Sequence, residues 1–245
     1  MTAATNLLLT GGHAHDFAAT SQAVAEVLGA EGIRTRITQD LEDAFADLSG
    51  GAHYDLLTVN AVRFRMLPDR YSDLRGAYAF EMGGAGREAI LGHLRRGGGL
   101  LALHTAPICF DDWPLWGKIV GASWDWSSSG HPPPLPSQIS VTGVEHPITA
   151  GCGDFEVVDE VYHRMVFEPD VKALATSPFE GVPQTLLWAR TWEGSRVAAD
   201  LLGHSRSSLE HPVHATLLAR AALWALGRED GEVAGAGRWA ERGSP

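Results

Sequence analysis

Histidine and acidic residues stand directly after several apolar runs of this sequence, where side chains could carry out acid–base chemistry or hold a metal ion. The most prominent is His104, which ends the apolar run Leu100–Leu103 after the glycine triplet Gly97–Gly99. Imidazole titrates near neutral pH and is the commonest protein ligand of metal ions. Because open α/β sheets bind ligands beyond the carboxyl ends of their strands, we predict that His104 lies in the functional site. A hydrogen-bonded core histidine is the alternative interpretation.

Two other apolar runs also lead, through glycine, into histidine. The first run of the chain is followed by His13, His15 and Asp16, and a late run is followed by His204. The two histidines near the start could chelate a divalent ion, because imidazole and carboxylate suit several such ions. Asp16 could instead cap the helix that follows. For His204 the alternative is an ordinary turn.

A dense polar cluster interrupts a strand-like segment in the second half of the chain. It contains Asp159, Glu160, Tyr162 and His163. Because side chains alternate between the faces of a strand, Glu160 and Tyr162 share one face. A Glu–Tyr pair that faces a pocket would supply an acid or base and a phenolic hydrogen bond. We predict that Asp159, on the other face, lies on solvated sheet surface.

The segment Trp124–Pro136 is rich in serine, tryptophan and proline, and His131 precedes its three consecutive prolines. Such a proline run continues neither a helix nor a central strand, so we predict a loop that serves as a lid or as an interface. Trp113 and other tryptophans flank this loop. Most of them should pack in the core, but aromatic faces can also stack on sugar rings.

The first half of the chain has the pattern of an α/β protein. Apolar runs alternate with helical stripes, which predicts a parallel sheet with helices on both faces. The segment from Ala61 to Tyr78 has no clean period and is predicted as loop with about one turn of helix. The predicted strands are Asn6–Thr10, Ile33–Thr38, Tyr54–Asn60 and Leu100–Leu103, and the predicted helices are Phe17–Leu28, Asp40–Leu48 and Gly86–Arg96.

Short strand-like segments separated by turns dominate the second half. Helices are predicted from Trp113 to Val120 and from Pro212 to Leu226. We predict a single domain over residues 1–227, followed by a loosely attached tail, residues 228–245, that is rich in glycine and charged residues. The predicted strands of this half are Gln138–Thr142, Phe155–Val158, Val171–Ala175, Thr185–Ala189 and Arg196–Leu201.

The amino-acid composition and the net charge limit the partners and the cellular location that we expect for this protein. Hydrophobic residues make up 44% of the chain, and the formal net charge is −11. This negative charge argues against nucleic acids and anionic membranes as partners. No early apolar run is long enough for a signal or membrane segment, and Cys109 and Cys152 form neither a disulfide framework nor a zinc motif. We therefore expect a soluble cytoplasmic protein. The missing G-x-S-x-G and G-x-G-x-x-G motifs leave serine-hydrolase chemistry and dinucleotide binding without support.

Taken in order, these residues resemble the family of trehalose-utilisation (ThuA-like) proteins over roughly residues 5 to 227. The resemblance rests on the ordered set rather than on any single motif. The matching segments are Gly97–Gly99 with Leu103–Thr105, then Trp113, Trp116 and Gly121, His131-Pro132, Val141 with Glu145–Gly151, Asp159–Tyr162, Arg196-Val197 with Leu202–His204, and Leu223–Ala225.

The resemblance implies a flavodoxin-like fold similar to that of class I glutamine amidotransferases. This is a doubly wound, mostly parallel sheet, here with extra antiparallel strands in the second half. In that superfamily a nucleophilic cysteine stands on the elbow after the strand that corresponds to Leu100–Leu103. The elbow here carries His104, and Cys109 lies too far along the chain to replace the nucleophile. The resemblance therefore implies that the chain is not a glutaminase.

Together, the resemblance and the polar residues predict an enzyme that acts on a sugar or sugar-derived small molecule, such as a 3-keto sugar, by hydrolysis, elimination or isomerisation. We expect His104, Glu160 and His204 to be catalytic, with a divalent ion such as zinc as candidate cofactor. A non-catalytic small-molecule-binding or regulatory module on the same fold is the alternative. The tryptophan-rich surface is also compatible with a homo-oligomer. The expected substrate contacts are His13, His15, Asp16, Thr105, Trp113, His131 and Tyr162, and the candidate metal ligands are His13, His104, His131 and His204.

Overall fold

A nine-stranded sheet forms the centre of the protein in the computed structural model, which describes residues 3–237. The strands of the chain are β1 (Thr5–Gly11), β2 (Arg34–Thr38), β3 (Leu56–Ala61), β4 (Gly99–Leu103), β5 (Ala122–Ser123), β6 (Leu135–Val141), β7 (Phe155–Asp159), β8 (Val166–Phe167), β9 (Lys172–Phe179), β10 (Val182–Trp192) and β11 (Ser195–Asp200). The order across the sheet is β2-β1-β3-β4-β11-β10-β9-β6-β7.

One side of this sheet is parallel and doubly wound, as predicted. β1 pairs with β2 and β3, and β4 pairs with β3 and β11, all in parallel. β3 and β4 are buried along their whole length, because helices cover both faces. This strand order is that of flavodoxin-like folds, which confirms the predicted fold class.

Two helix layers cover the faces of the sheet: α1 packs with α7, and α2 packs with α4. None of the helices within residues 3–237 is both long and apolar enough to cross a membrane. The helices are α1 (Phe17–Ala30), α2 (Leu41–Ser49), α3 (Ser72–Tyr78), α4 (Gly84–Arg95), α5 (Leu115–Val120), α6 (Arg206–Leu209), α7 (Pro212–Ala225) and α8 (Asp230–Gly235).

The other side of the sheet is antiparallel. β10 pairs with β11 and β9, and β6 pairs with β9 and β7, each in antiparallel fashion. The five strands predicted for the second half are all present, and the predicted extra antiparallel strands are confirmed. β5 and β8, which were not predicted, form a separate small antiparallel sheet.

The antiparallel side curls back toward the parallel side at the carboxyl end of β11. In a flat sheet β7 would lie roughly 19 Å from β11, since four strand spacings separate them. Asp159, the last residue of β7, nevertheless accepts a hydrogen bond at 2.7 Å from the backbone N–H of Gly203, just past β11. The curl therefore brings the end of the edge strand to the ends of the central strands.

Two segments differ from the sequence-based expectation. The region predicted as loop between Ala61 and Tyr78 contains α3, preceded by the short 3-10 helix Asp69–Tyr71. The predicted loose tail begins with α8, whose Val233 is fully buried. Arg220 in α7 also donates a hydrogen bond at 3.0 Å to the carbonyl of Ala236. The rest of the predicted tail, residues 238–245, lies outside the described residues, as do residues 1 and 2 of the predicted domain.

Because β4 packs closely against α7, a single methyl group added at the start of β4 should strongly lower the stability of the protein. A Cβ atom at Gly99 would lie 2.3 Å from the carbonyl oxygen of Ala225, so Gly99→Ala should lower the free energy of unfolding by about 2 kcal/mol. Gly29→Ala is the control: a methyl group added there, in α1, would find no other atom within 4 Å, and helix propensity should raise stability by about 0.5 kcal/mol. Urea unfolding measures both, and equal stabilities would contradict this packing.

Candidate metal centre and active site

Four side chains converge where the strands of the sheet end. They are His15, His104, Glu160 and His204, and their potential ligand atoms all lie within 4.8 Å of one another. The residues follow β1, β4, β7 and β11 respectively, so four separate strand ends each supply one group. The structure thus brings together the three residues predicted to be catalytic and adds His15.

His104 stands on an elbow with a left-handed backbone conformation, at φ +50°. Such a conformation is uncommon for a non-glycine residue and marks a position that the surrounding structure enforces. The backbone N–H of His104 donates to the carbonyl of Asp200 at 2.6 Å. Its Nδ1 lies 2.8 Å from the carbonyl oxygen of Leu201, which can only accept. This carbonyl therefore holds the Nδ1 proton, and Nε2 lies 3.5 Å from Oε2 of Glu160.

The other two histidines also face Glu160. Nδ1 of His15 lies 3.2 Å from the carbonyl oxygen of His13, which can only accept, and Nε2 of His15 lies 3.9 Å from Oε2 of Glu160. Nδ1 of His204 lies 3.3 Å from Oε1 of Glu160. Burial lowers the pKa of His204 despite the nearby carboxylate. Nε2 of His15, Nε2 of His104 and Nδ1 of His204 thus all face the carboxylate, and an imidazole nitrogen binds a metal ion in its neutral form.

The polar atoms at the centre of the cluster lack protein partners. Nε2 of His15, Nε2 of His104, Nδ1 of His204 and Oε2 of Glu160 are all buried without a hydrogen-bond partner. Buried polar atoms are rarely left in this way unless water or an ion satisfies them. Ligands of a tetrahedral zinc ion, each about 2.05 Å from the metal, lie about 3.3 Å apart. Glu160 lies 3.3–3.9 Å from the three histidines, and all four potential ligand atoms lie within 4.8 Å of one another, so they would have to draw closer together to coordinate a divalent ion.

Glu160 also contacts His131, beside Tyr162. Nδ1 of His131 lies 3.3 Å from Oε1 of Glu160, and its ring stacks on Tyr162 with centroids 4.9 Å apart. Burial alone would raise the pKa of Glu160, but the imidazoles of His104, His131 and His15 outweigh burial and hold it well below its usual value. Burial opposes protonation of His131, yet Glu160 raises the pKa of His131 above its usual value. Burial raises the pKa of Tyr162, so its phenol stays protonated and can donate.

A cavity of about 290 Å³ opens onto this cluster. Of the predicted substrate contacts, His13, His15, Thr105, His131 and Tyr162 line it. Thr105 also donates from Oγ1 to the carbonyl of Ala61 at 2.6 Å, which fixes its side chain at the cavity floor. The cavity also has an aromatic wall, in which Phe64 and Tyr71 pack beside His13 and Trp124 packs beside His131 and Tyr162. This aromatic wall is formed by Phe64, Tyr71, Trp124 and Trp126.

Sequence reasoning missed most of this aromatic wall. Phe64 and Tyr71 belong to the irregular segment that was predicted as loop, where no periodicity distinguishes lining residues from surface residues. Trp124 and Trp126 were recognised only as aromatic residues of the proline-rich loop. Their position in that loop, shortly before His131, was the sequence signal that could have placed them in the cavity.

Several predicted positions lie elsewhere. Asp16 is exposed and caps α1, accepting a hydrogen bond from the N–H of Ala19 at 3.0 Å. Trp113 is buried against Trp116 and lines a neighbouring cavity instead. The predicted metal ligands His13 and His131 line the main cavity but are not in the four-residue group. The prediction of solvated surface for Asp159 is wrong: this residue is 1% exposed, because the curl of the sheet covers it.

Comparisons with known proteins agree with this architecture. The family model described as "ThuA: Trehalose utilisation" matches residues 6–225. A ThuA-like protein from Parabacteroides merdae superposes with a TM-score of 0.68 at 17% identity, covering 91% of this chain and 90% of the other. One from Bacteroides uniformis gives 0.65 at 17% identity, covering 91% of each chain. A β-galactosidase from Bacillus circulans gives 0.56 at 10% identity, covering 94% of this chain but 31% of the other. No curated protein matches the sequence.

The thiol nearest the elbow is unsuited to nucleophilic chemistry. Cys109 is buried, and its Sγ donates to the carbonyl of Ala61 at 3.0 Å. Burial raises the pKa of Cys109 to about 12. Because the thiolate is the reactive form, Cys109 should remain unalkylated by iodoacetamide in the folded protein at pH 8 and react fully in urea. Peptide mass spectrometry measures the labelling, and rapid native labelling of Cys109 would contradict the assignment.

Proposed function

Because the chain belongs to the ThuA family over residues 6–225, we propose that it is a metal-assisted enzyme acting on a neutral sugar or sugar-derived small molecule. The observation that carries this proposal is the convergence of His15, His104, Glu160 and His204 at a cavity. Four strand ends far apart in sequence contribute one potential ligand each. A non-catalytic binding module on the same fold would not need imidazoles and a carboxylate that are buried together without hydrogen-bond partners.

The four-residue group would hold a divalent ion, with zinc as the leading candidate because imidazole and carboxylate are among its usual ligands. When bound, such an ion supplies Lewis-acid polarisation of a carbonyl or activation of a water molecule. The chain itself prepares the ligands. The carbonyls of Leu201 and His13 hold the Nδ1 protons of His104 and His15, so that both Nε2 atoms are free.

Glu160 and His131 form the acid–base part of the site. Oε2 of Glu160 faces His15 and His104, whereas Oε1 is 3.3 Å from His131. One oxygen can therefore contact an ion while the other, on a carboxylate that stays ionised, orients His131, whose raised pKa suits it to carry the proton. Removal of a proton next to a ketone begins the isomerisation, elimination and hydrolysis of keto sugars. In isomerisation the carbonyl oxygen takes up a proton to give an enediol, whereas in elimination the leaving oxygen takes it up as its C–O bond breaks, and addition of water to the alkene then completes hydrolysis. Tyr162 would donate a hydrogen bond to the oxygen on which charge develops.

The cavity lining favours an uncharged, ring-shaped substrate. No lysine or arginine is among the described residues that line it, which disfavours phosphorylated sugars. Trp124, Trp126 and Tyr71 supply aromatic faces, and the polar groups of the cavity supply hydrogen-bond partners for hydroxyls. Such a combination is typical of small-molecule sites with a few oriented polar groups on an apolar wall. Free cysteines are compatible with the cytoplasmic location that we propose for the enzyme.

Metal binding and turnover test this function together. The protein should bind about one equivalent of Zn²⁺, and His104→Ala should weaken that affinity by about 100-fold or more. Chelator-treated protein and His104→Ala should both fail to turn over 3-keto-glucosides. His53→Ala is the control, because His53 has a side chain that is 75% exposed and lies outside the cavity. Elemental analysis, metal titration and product analysis are the measurements. Full turnover by His104→Ala would refute the assignment.

The aromatic wall predicts a separate effect on substrate affinity. Trp126 is 37% exposed and packs on Phe64, so its removal should leave the fold intact. Trp126→Ala should raise KM by about tenfold, equivalent to about 1.4 kcal/mol, with little change in kcat, because stacking acts on bound substrate and transition state alike. Trp192→Ala removes a tryptophan outside the cavity and should change neither constant. An unchanged KM in Trp126→Ala would remove this wall from the substrate site.

A further inference from the structure

One buried carboxylate connects the two turns that carry Glu160 and His204. Oδ1 of Asp159 accepts from the N–H of Glu160 at 2.8 Å and from that of His204 at 3.2 Å. Oδ2 accepts from the N–H of Gly203 at 2.7 Å and from the hydroxyl of Ser208. Since Asp159 is almost fully buried, these backbone and hydroxyl donors replace water around its charge.

Behind this carboxylate lies His214, which is fully buried in α7. Its Nδ1 is 2.8 Å from the carbonyl oxygen of Ser208, and its Nε2 is 3.0 Å from Oδ2 of Asp200. Both ring nitrogens thus face oxygen acceptors. His214 fixes the position of Ser208, whose hydroxyl binds Asp159, and it also fixes the carboxylate of Asp200.

Asp200 continues the network to the elbow of His104. Its Oδ1 accepts from the N–H of Leu202 at 3.0 Å, and its backbone carbonyl accepts from the N–H of His104 at 2.6 Å. Leu201 lies between Asp200 and Leu202, and its carbonyl oxygen accepts a hydrogen bond from Nδ1 of His104. The conformation of the turn after β11 therefore sets the direction of the His104 ring.

We infer that His214 is a positioning residue of the candidate metal centre: through Ser208 and Asp159 it aligns Glu160 and His204, and through Asp200 it aligns His104. The inference rests on the proposed function for the role of the aligned ligands. Three of the four ligands are linked through this one imidazole, although none of them touches it. Residues that orient metal ligands typically change metal affinity by 10–100-fold when they are removed.

His93 shows what a purely structural histidine looks like in this fold. It is 1% exposed, and its Nε2 lies 2.9 Å from the carbonyl oxygen of Gly99 at the opposite end of β4 from His104. Loss of His93 should lower stability without any effect on the site. His93→Gln is therefore the matched control for His214→Gln.

A milder pair of variants isolates the link itself. Ser208→Ala removes only the hydroxyl that binds Asp159, whereas Ser207→Ala removes an exposed hydroxyl from the same helix, α6. Ser208→Ala should weaken Zn²⁺ and Co²⁺ binding by about tenfold relative to Ser207→Ala. Ser208→Thr, which keeps a hydroxyl, should recover part of that loss. His214→Gln should weaken metal binding more than His93→Gln does, even when the two variants lower the melting temperature by the same amount.

A metal-free measurement separates this inference from the proposed function. In the apoprotein, the backbone amide resonances of Glu160, Gly203 and His204 report the hydrogen bonds to Asp159. They should shift in Ser208→Ala and His214→Gln but not in the controls Ser207→Ala and His93→Gln. Unshifted amides together with metal affinities equal to those of Ser207→Ala would overturn the positioning role. If the wild-type protein binds neither ion, the proposed function fails, and the amide comparison alone decides whether His214 and Ser208 align these turns.

Discussion

The carboxylate of Asp159 is the interaction on which the arrangement of the site depends. β7 is the outermost strand of the antiparallel side, and its end reaches the central strands only because the sheet curls. Asp159 binds the curled edge to the turn after β11 through Gly203 and His204. A buried charge that is satisfied by several N–H groups is costly to disturb, because loss of one partner leaves it without solvation. The hydrogen bonds of Asp159 that join the end of β7 to the turn after β11 therefore also place Glu160 among the histidines.

Much of the fold could be predicted because its signals are local. The apolar run Leu100–Leu103 after three glycines predicted a strand covered on both faces, and that prediction placed His104 at the carboxyl edge of the sheet. The strands of the second half, predicted from short strand-like segments separated by turns, are present in the structure. Convergence of His104 and His204 followed from a general property of α/β sheets, since the ends of the parallel strands β4 and β11 meet at one edge, whereas the place of Glu160 depends on the curl.

What could not be predicted depends on long-range geometry. Alternation placed Asp159 and Glu160 on opposite faces, but it contains no information about which face the curl would cover. Phe64 and Tyr71 line the cavity from an irregular segment, where residue spacing has no structural meaning. His15 could not be preferred to His13 as a ligand, because the direction of each ring depends on hydrogen bonds across the loop. In the structure His13 contributes its backbone carbonyl instead, which orients His15.

The distribution of the ligands over four strand ends has a consequence for how such a site can change. In motifs where two ligands share one helix, replacing a ligand also alters the element that carries its neighbour. Here each ligand stands on its own turn, while the strands and helices beneath these turns keep their packing. The left-handed elbow of His104 disfavours β-branched side chains but allows several others. The ligand side chains can thus change without a change in the stability of the sheet and helices. Proteins that share this fold can therefore hold different ions at this position, or none.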